Sequence, residues 1–183
     1  MKLAIRCTFC NVTARTIFSA AVLFFALPAV AAKTAAHVHG SAQMNVAIEG
    51  SSVTIAVEAP LDSLLGFEHA PRTAKEKQIA TAAMTTLKSS DAIVLADAAA
   101  ECATTKIEIN DAALHKSNGK DSHADIDITL ELICKRPLQL KSLDITLFKS
   151  FRRIQSINVQ MLKGAKSSRQ MIKRPNTLLR LPT

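Results

Sequence analysis

The sequence contains no tryptophan and no tyrosine, and seven phenylalanines are its only residues of that aromatic class. Proteins that bind single-stranded nucleic acids stack bases on such side chains, so their scarcity weighs against nucleic-acid recognition. The H-E-x-x-H signature of many zinc proteases is missing, as are internal repeats, heptad runs and long low-complexity tracts. These absences disfavour a repeat protein, a coiled coil and a metallopeptidase of that type.

Residues 1–32 have the pattern of a secretory signal peptide. Basic residues precede an apolar run from Ile17 to Leu27, which is too short to span a bilayer. Ala29-Val30-Ala31 fits the small-x-small rule of signal cleavage. We therefore expect an exported protein with a single domain over residues 33–174 and a loosely held C-terminal tail at 175–183.

Hydrophobic periodicity predicts the main elements of that domain. Alternation over residues 37–49 and 53–58, with a Gly-Ser-Ser turn between them, indicates a β-hairpin. Thr73-Ala74-Lys75-Glu76 is a capping box and predicts an amphipathic helix over Thr73–Ser89. Further alternation follows Cys102 and precedes Cys134, which predicts one strand after the first cysteine and another before the second. The pattern predicts a single α+β domain in which an antiparallel sheet of about five to seven strands packs on one long helix, with a short helical turn near residue 150.

The cysteine positions predict one disulfide. Cys7 and Cys10 precede the apolar run and would leave with the signal peptide, so Cys102 and Cys134 remain. Two cysteines in an exported chain most simply form a disulfide. The alternative is a pair of thiolate metal ligands, but their long separation does not resemble a zinc knuckle.

His37 and His39 are the first candidate metal ligands. Residues two apart on a strand share a face and lie about 6.5–7 Å apart, so both imidazoles could converge on one Zn²⁺. Asp62, Glu68 or His69 could supply a third ligand. The alternative interpretation is two exposed histidines near a mature N-terminus, without a binding role.

The stretch Leu64–Arg72 is the second feature with metal-binding chemistry. Gly66 permits backbone conformations that other residues avoid, and Pro71 stiffens the chain, so Glu68 and His69 should sit on a rigid connection. A carboxylate beside an imidazole on such a connection is suited to hold a metal. The alternative is a structural segment in which Phe67 fills the core and Glu68 pairs with Arg72 at the surface.

A polar turn between the cysteine-bounded strands contains further candidate ligands. His115, Asp121 and His123, with Asp125 just beyond them, could form a second and weaker zinc site. Closing a flexible loop on a metal costs conformational entropy, which is why we expect weak binding there. The alternative is a solvated hairpin loop.

The basic C-terminal region favours a different function. From Lys141 onward the chain has ten lysines and arginines and one acid, Asp144. Such a density of cations could contact anionic lipid headgroups or an acidic partner, as a non-enzymatic envelope interaction module would. A zinc hydrolase is a third option, with Glu68 as base near an open metal position. No catalytic signature surrounds Glu68, so we expect no enzyme.

The motifs in combination resemble the ZrgA-like periplasmic zinc-binding proteins. The segments that carry the resemblance are 37–42, 60–73 and 147–151, together with the two later cysteines. The resemblance implies a periplasmic protein that binds Zn²⁺ and assists zinc uptake, with a zinc importer or its binding protein as partner. Members often carry a His/Asp-rich tract between the cysteine-bounded strands, which here shrinks to residues 115–123. Because zinc binds neutral imidazole, affinity should fall below about pH 6.5.

Overall fold

Strands dominate the computed structural model, which describes residues 39–115 and 124–182. The strands are β1 Ser41–Glu49, β2 Ser52–Pro60, β3 Leu95–Ala96, β4 Cys102–Asn110, β5 Asp125–Cys134, β6 Ser142–Asp144, β7 Ser156–Lys163, β8 Lys166–Lys173 and β9 Leu178–Arg180. The α-helices are α1 Leu61–Leu65, α2 Ala74–Leu87 and α3 Leu147–Ser150. The predicted signal peptide lies outside the described residues. Among those residues, no helix is both long and apolar enough to cross a membrane.

The prediction of an α+β domain is wrong, because the fold is mainly β. A six-stranded sheet has the order β4-β5-β2-β1-β7-β8, and a separate three-stranded sheet has the order β3-β6-β9. The strands of the small sheet have two or three residues each, too few to show alternation in the sequence. A hydrophobic periodicity therefore revealed the large sheet and could not reveal the small one.

The long helix is confirmed, but it is not the layer that covers the sheet. Thr73 caps α2, and its hydroxyl accepts a hydrogen bond from the Glu76 backbone, as a capping box requires. Only three of its residues are buried, namely Ala80, Ala83 and Leu87. Most other buried side chains outside the strands come from connecting segments, from α1 and from α3, whose Phe148 is almost fully buried. The helix thus shields one part of a core that is closed mainly by other elements.

The hairpin of β1 and β2 forms as predicted, with Met44 opposite Val57 and Val46 opposite Ile55. The other neighbour of β1 is β7, and these two strands run parallel. The predicted antiparallel sheet is therefore a mixed sheet. After α3 the chain returns beside the start of β1, where the Gly40 carbonyl accepts hydrogen bonds from the Gln155 and Ser156 amides.

The predicted disulfide is confirmed between Cys102 and Cys134. The two residues face each other in the pairing of β4 with β5. The Cys134 amide also donates to the carbonyl of Ser51, next to the turn that joins β1 and β2. The disulfide therefore lies at the end of the large sheet that is remote from Pro60 and the start of β1.

The C-terminal segment contributes to the core, although the sequence suggested a loosely held tail at 175–183. Strand β9 pairs with β6, and Leu179 and Leu181 are buried. Its apolar residues are too few to give a periodic signal. The ordered fold therefore continues beyond residue 174 to the end of the described range.

Asp97 lies directly after β3 and binds the start of β6, its neighbour in the small sheet. Its carboxylate accepts hydrogen bonds from the Lys141 amide at 2.7 Å, the Ser142 amide at 2.7 Å and the Ser142 hydroxyl at 2.8 Å. Burial opposes ionisation, but these bonds lower the pKa of Asp97 below its ordinary value. Since the folded pKa is depressed, the stabilisation is present above the unfolded-state pKa of about 3.9 and is lost as the pH falls through the folded pKa.

Replacing Asp97 by alanine is expected to lower the free energy of unfolding at pH 7 by about 2–3 kcal/mol, because two backbone amides lose a charged acceptor. The difference from the parent should shrink as the pH falls below about 4. Urea unfolding at several pH values measures both effects. Asp91→Ala is the matched control, since Asp91 is exposed and its loss should cost less than about 0.5 kcal/mol. Equal stabilities of the two variants at pH 7 would contradict the prediction.

Candidate metal centre

Three of the candidate ligands from the sequence come together at one end of the large sheet. His39 lies in a turn just before β1, Asp62 lies in α1, and Glu68 lies in the connection between α1 and α2. The His39 Nδ1 atom is 2.7 Å from Asp62 Oδ2 and 3.3 Å from Glu68 Oε1. Candidate ligand atoms of all three residues lie within 4.8 Å of one another, and this is the one such group among the described residues.

His39 reaches this position from a turn, so the prediction that it lies on a strand face is wrong. Gly40 has a φ of 74°, which a β-carbon would make unfavourable, and it turns the chain before β1 begins at Ser41. The Gly40 amide donates to the Ser63 hydroxyl at 3.0 Å. This bond holds the turn that carries His39 against the helix that carries Asp62.

Asp62 is the fixed member of the group. Its side chain is 9% exposed, against 74% for His39 and 67% for Glu68. The Ser63 hydroxyl lies 3.3 Å from Asp62 Oδ1, which leaves Oδ2 for His39. Helix α1 ends at Gly66, whose left-handed conformation allows its amide to bond the Asp62 carbonyl. A buried carboxylate held in this way is preorganised for a cation.

Glu68 lies on the connection between α1 and α2, which the sequence predicts to be stiff. The preceding Phe67 is partly buried against the core, which orients the connection. Glu68 lies beside His39, whereas the backbone amide of Arg72 donates to Glu76. The ion pair of Glu68 is therefore with the His39 imidazole, and not with Arg72 as in the alternative interpretation of this segment.

The two carboxylates change the protonation of His39. The hydrogen bond with Asp62 and the charges of Asp62 and Glu68 raise the pKa of the imidazole, while partial burial and the charge of Arg153 oppose them. The proton shared between Nδ1 and Asp62 therefore competes with a metal at a higher pH than on an ordinary histidine. The expected decline of zinc affinity on acidification should accordingly begin above the usual histidine range.

The donor set fits Zn²⁺. Zinc binds imidazole nitrogen and carboxylate oxygen at about 2.0–2.2 Å in tetrahedral geometry, so its ligand atoms lie about 3.3–3.5 Å apart. The 3.3 Å separation between Nδ1 and Glu68 Oε1 matches this value. The 2.7 Å separation between Nδ1 and Asp62 Oδ2 is that of a hydrogen bond, and it would lengthen by about 0.6–0.8 Å around a zinc ion. One neutral and two anionic donors also balance the charge of the ion. His39, Asp62 and Glu68 could hold zinc with small side-chain movements.

A family comparison decides what kind of protein this is. The model of the ZrgA family, described as zinc uptake proteins, matches residues 36–181. The chain belongs to the ZrgA family. The match covers all three members of the candidate centre and both sheets. None of the curated proteins compared with the chain matches it.

Of the remaining candidate ligands of this ZrgA-family chain, the two that the structure describes, His69 and His115, lie outside the group. His69 Nδ1 donates to the Ala70 carbonyl at 2.9 Å, and the ring stacks on Phe67 with centroids 5.3 Å apart. His115 is exposed, with Nε2 3.4 Å from Asp111 Oδ2. His37, Asp121 and His123 lie outside the described residues.

The sequence signals for this centre were incomplete. Asp62 stood only as an alternative to Glu68 and His69, although its position two residues after Pro60 places it in the first turn of α1. Arg153, which contacts the Asp62 carbonyl through Nε at 2.8 Å, was not considered. No local pattern marks a residue that reaches the site from so far along the chain.

Proposed function

We propose that this protein is a periplasmic zinc-binding protein that assists zinc acquisition beside a zinc importer or its binding protein. The observation that carries the proposal is the group of His39, Asp62 and Glu68, whose donor atoms lie within 4.8 Å of one another. Membership of the zinc uptake family supports a zinc-related role. The disulfide between Cys102 and Cys134 is compatible with export to an oxidising compartment.

The exposure of the group supports transfer of zinc over permanent retention. Structural zinc sites are closed by four protein ligands and shielded from solvent. Here one buried carboxylate is combined with an imidazole and a carboxylate that are mostly exposed. An ion held mainly from one side can be reached by the ligands of another protein. His37 remains a candidate ligand from the sequence and lies outside the residues that the structure describes.

The same group gives little support to catalysis. Both carboxylates, Asp62 and Glu68, lie beside Nδ1 of His39, so each is placed to bind the metal. A zinc hydrolase also needs a base that is not bound to the metal and lies near an open position. Within the described residues, no second cluster of metal-binding side chains is present to divide these roles. We therefore propose binding and transfer without an enzymatic reaction.

The basic C-terminal region does not favour a second function. Arg174 donates to backbone carbonyls around α3 and stacks over the Phe148 ring. Lys163 Nζ donates to the Pro182 carbonyl at 2.9 Å, and Lys149 pairs with Asp144. Several of these cations therefore serve the fold itself.

Zinc titration of the mature protein tests the proposal. The variant His37→Ala/His39→Ala is expected to lose the tight zinc transition, because it removes the imidazole shared by both carboxylates. The variant His115→Ala/His123→Ala is the matched control, since it also removes two histidines but leaves the group intact. It should bind the first zinc ion within about threefold of the parent. Isothermal titration and native mass spectrometry give the affinity and the stoichiometry.

Two results would contradict this assignment. If the first variant binds like the parent and the second does not, the principal site lies in the loop between β4 and β5. If the parent itself shows no zinc-specific transition, the proposed function fails.

A further inference from the structure

We propose that Arg153 is a positioning residue of the zinc centre, which it builds by joining the turn of His39 to the helix of Asp62. The inference rests on the proposed zinc-binding function. Arg153 follows α3 and precedes β7, in the segment that returns the chain to the side of β1. It is neither a metal ligand nor part of a recognised motif in the sequence.

The first contact is with the helix of Asp62. The Nε atom of Arg153 donates to the Asp62 carbonyl at 2.8 Å, and the Gly66 amide donates to the same carbonyl at 2.9 Å. This oxygen therefore has two donors, one from within the short helix and one from a distant segment. A five-residue helix makes few internal hydrogen bonds, so an external donor to its carbonyl adds substantially to its order.

The second contact is between the Arg153 side chain and the end of α1 at Gly66. A β-carbon at Gly66 would lie 3.5 Å from Nε and 3.6 Å from Cδ and Cζ of Arg153, which is ordinary van der Waals contact. The glycine is therefore favoured by its φ of 90°, and the Arg153 side chain packs directly beside it. The flat guanidinium restricts the end of α1, immediately before the connection that carries Glu68.

The third contact is made by the backbone of the same segment with the turn of His39. A β-carbon at Gly40 would lie 3.1 Å from the Arg153 carbonyl oxygen, so the two backbones pass very close together. The Gln155 amide donates to the Gly40 carbonyl at 2.7 Å. One segment therefore contacts the residue after His39 and the helix of Asp62, which fixes the distance between two ligands.

The test compares Arg153→Ala with Arg152→Ala in the mature protein, using Zn²⁺ for affinity and Co²⁺ as a spectroscopic probe of coordination geometry. Arg152 is the matched control because it is the preceding cation and is exposed. We expect Arg153→Ala to weaken zinc binding by about tenfold, as loss of an outer-shell partner does. It should also change the visible Co²⁺ spectrum. Arg152→Ala should remain within about twofold of the parent in affinity, with an unchanged spectrum.

Arg153→Lys keeps a donor within reach of the Asp62 carbonyl and serves as the second variant if alanine prevents folding. We expect it to lie between the parent and Arg153→Ala in affinity. Circular dichroism at the titration temperature confirms that each variant is folded. The inference is wrong if both Arg153 variants bind zinc within twofold of the parent, or if Arg152→Ala loses as much affinity as Arg153→Ala. Either result would leave the proposed zinc-binding function standing. A parent that does not bind zinc would overturn the proposed function and this inference with it.

Discussion

The zinc affinity is expected to fall by at least about 100-fold when Asp62 is replaced by asparagine. Losing an outer-shell partner of a metal typically costs about 10–100-fold in affinity, and losing a direct ligand should cost more. Asp62 is the buried member of the group and the only one held by a hydroxyl neighbour and a helix. Asparagine keeps the size of the side chain and a hydrogen-bonding oxygen, but it removes the negative charge. The loss of affinity should therefore occur without collapse of the site.

A competition titration with a chromophoric zinc chelator measures this effect, and thermal unfolding of the metal-free protein checks the fold. Asp111→Asn is the matched control, because Asp111 also lies beside a histidine, with Oδ2 3.4 Å from His115 Nε2, but outside the group. It should leave the affinity within about twofold of the parent. An Asp62→Asn variant that binds zinc within threefold of the parent would show that Asp62 is only a structural neighbour of His39.

The second large effect is expected on stability. The double variant Cys102→Ala/Cys134→Ala should lose about 3–4 kcal/mol of unfolding free energy, because the chain-entropy model assigns that value to a loop of this length. The cysteines are separated by 32 positions. Without the covalent link, the unfolded chain gains freedom, while the hydrogen bonds of the β4–β5 pair remain available to the folded state.

Denaturant unfolding with and without a reductant measures the contribution of the disulfide. Reduction should lower the stability of the parent to about that of the double variant and leave the variant unchanged. Because Cys134 contacts Ser51 at the far end of the large sheet, the folded variant should keep its zinc affinity within about twofold. A loss below about 1 kcal/mol would contradict the chain-entropy value for this loop.

The rigid connection between α1 and α2 shows how far local sequence can lead. Gly66, Pro71 and the capping box of Thr73 correctly predicted a turn followed by a helix. They also indicated Glu68 and His69 as neighbours on that turn. The direction of each side chain was not determined locally: Glu68 lies beside His39, whereas His69 bonds the carbonyl of Ala70. The two neighbouring residues thus differ in role because their side chains contact different partners in the folded structure.

The sequence by itself determined the features whose signals are short-range and repeated. Two-residue alternation specified the hairpin of β1 and β2, because every second side chain must be buried. The capping residues specified the start of α2, and the two remaining cysteines specified the disulfide. Each of these features depends on neighbours along the chain or on a single pair of reactive groups.

Tertiary structure alone decided the parallel pairing of β1 with β7, the three-stranded sheet and the composition of the candidate metal centre. Strands of two or three residues have no periodic pattern, so they form only where a core already presents partners. His39 and Asp62 meet because Gly40 turns the chain and Arg153 holds the end of α1 from 91 positions away. Such contacts depend on the path of the backbone through space, and no short stretch of the sequence contains the information that sets this path.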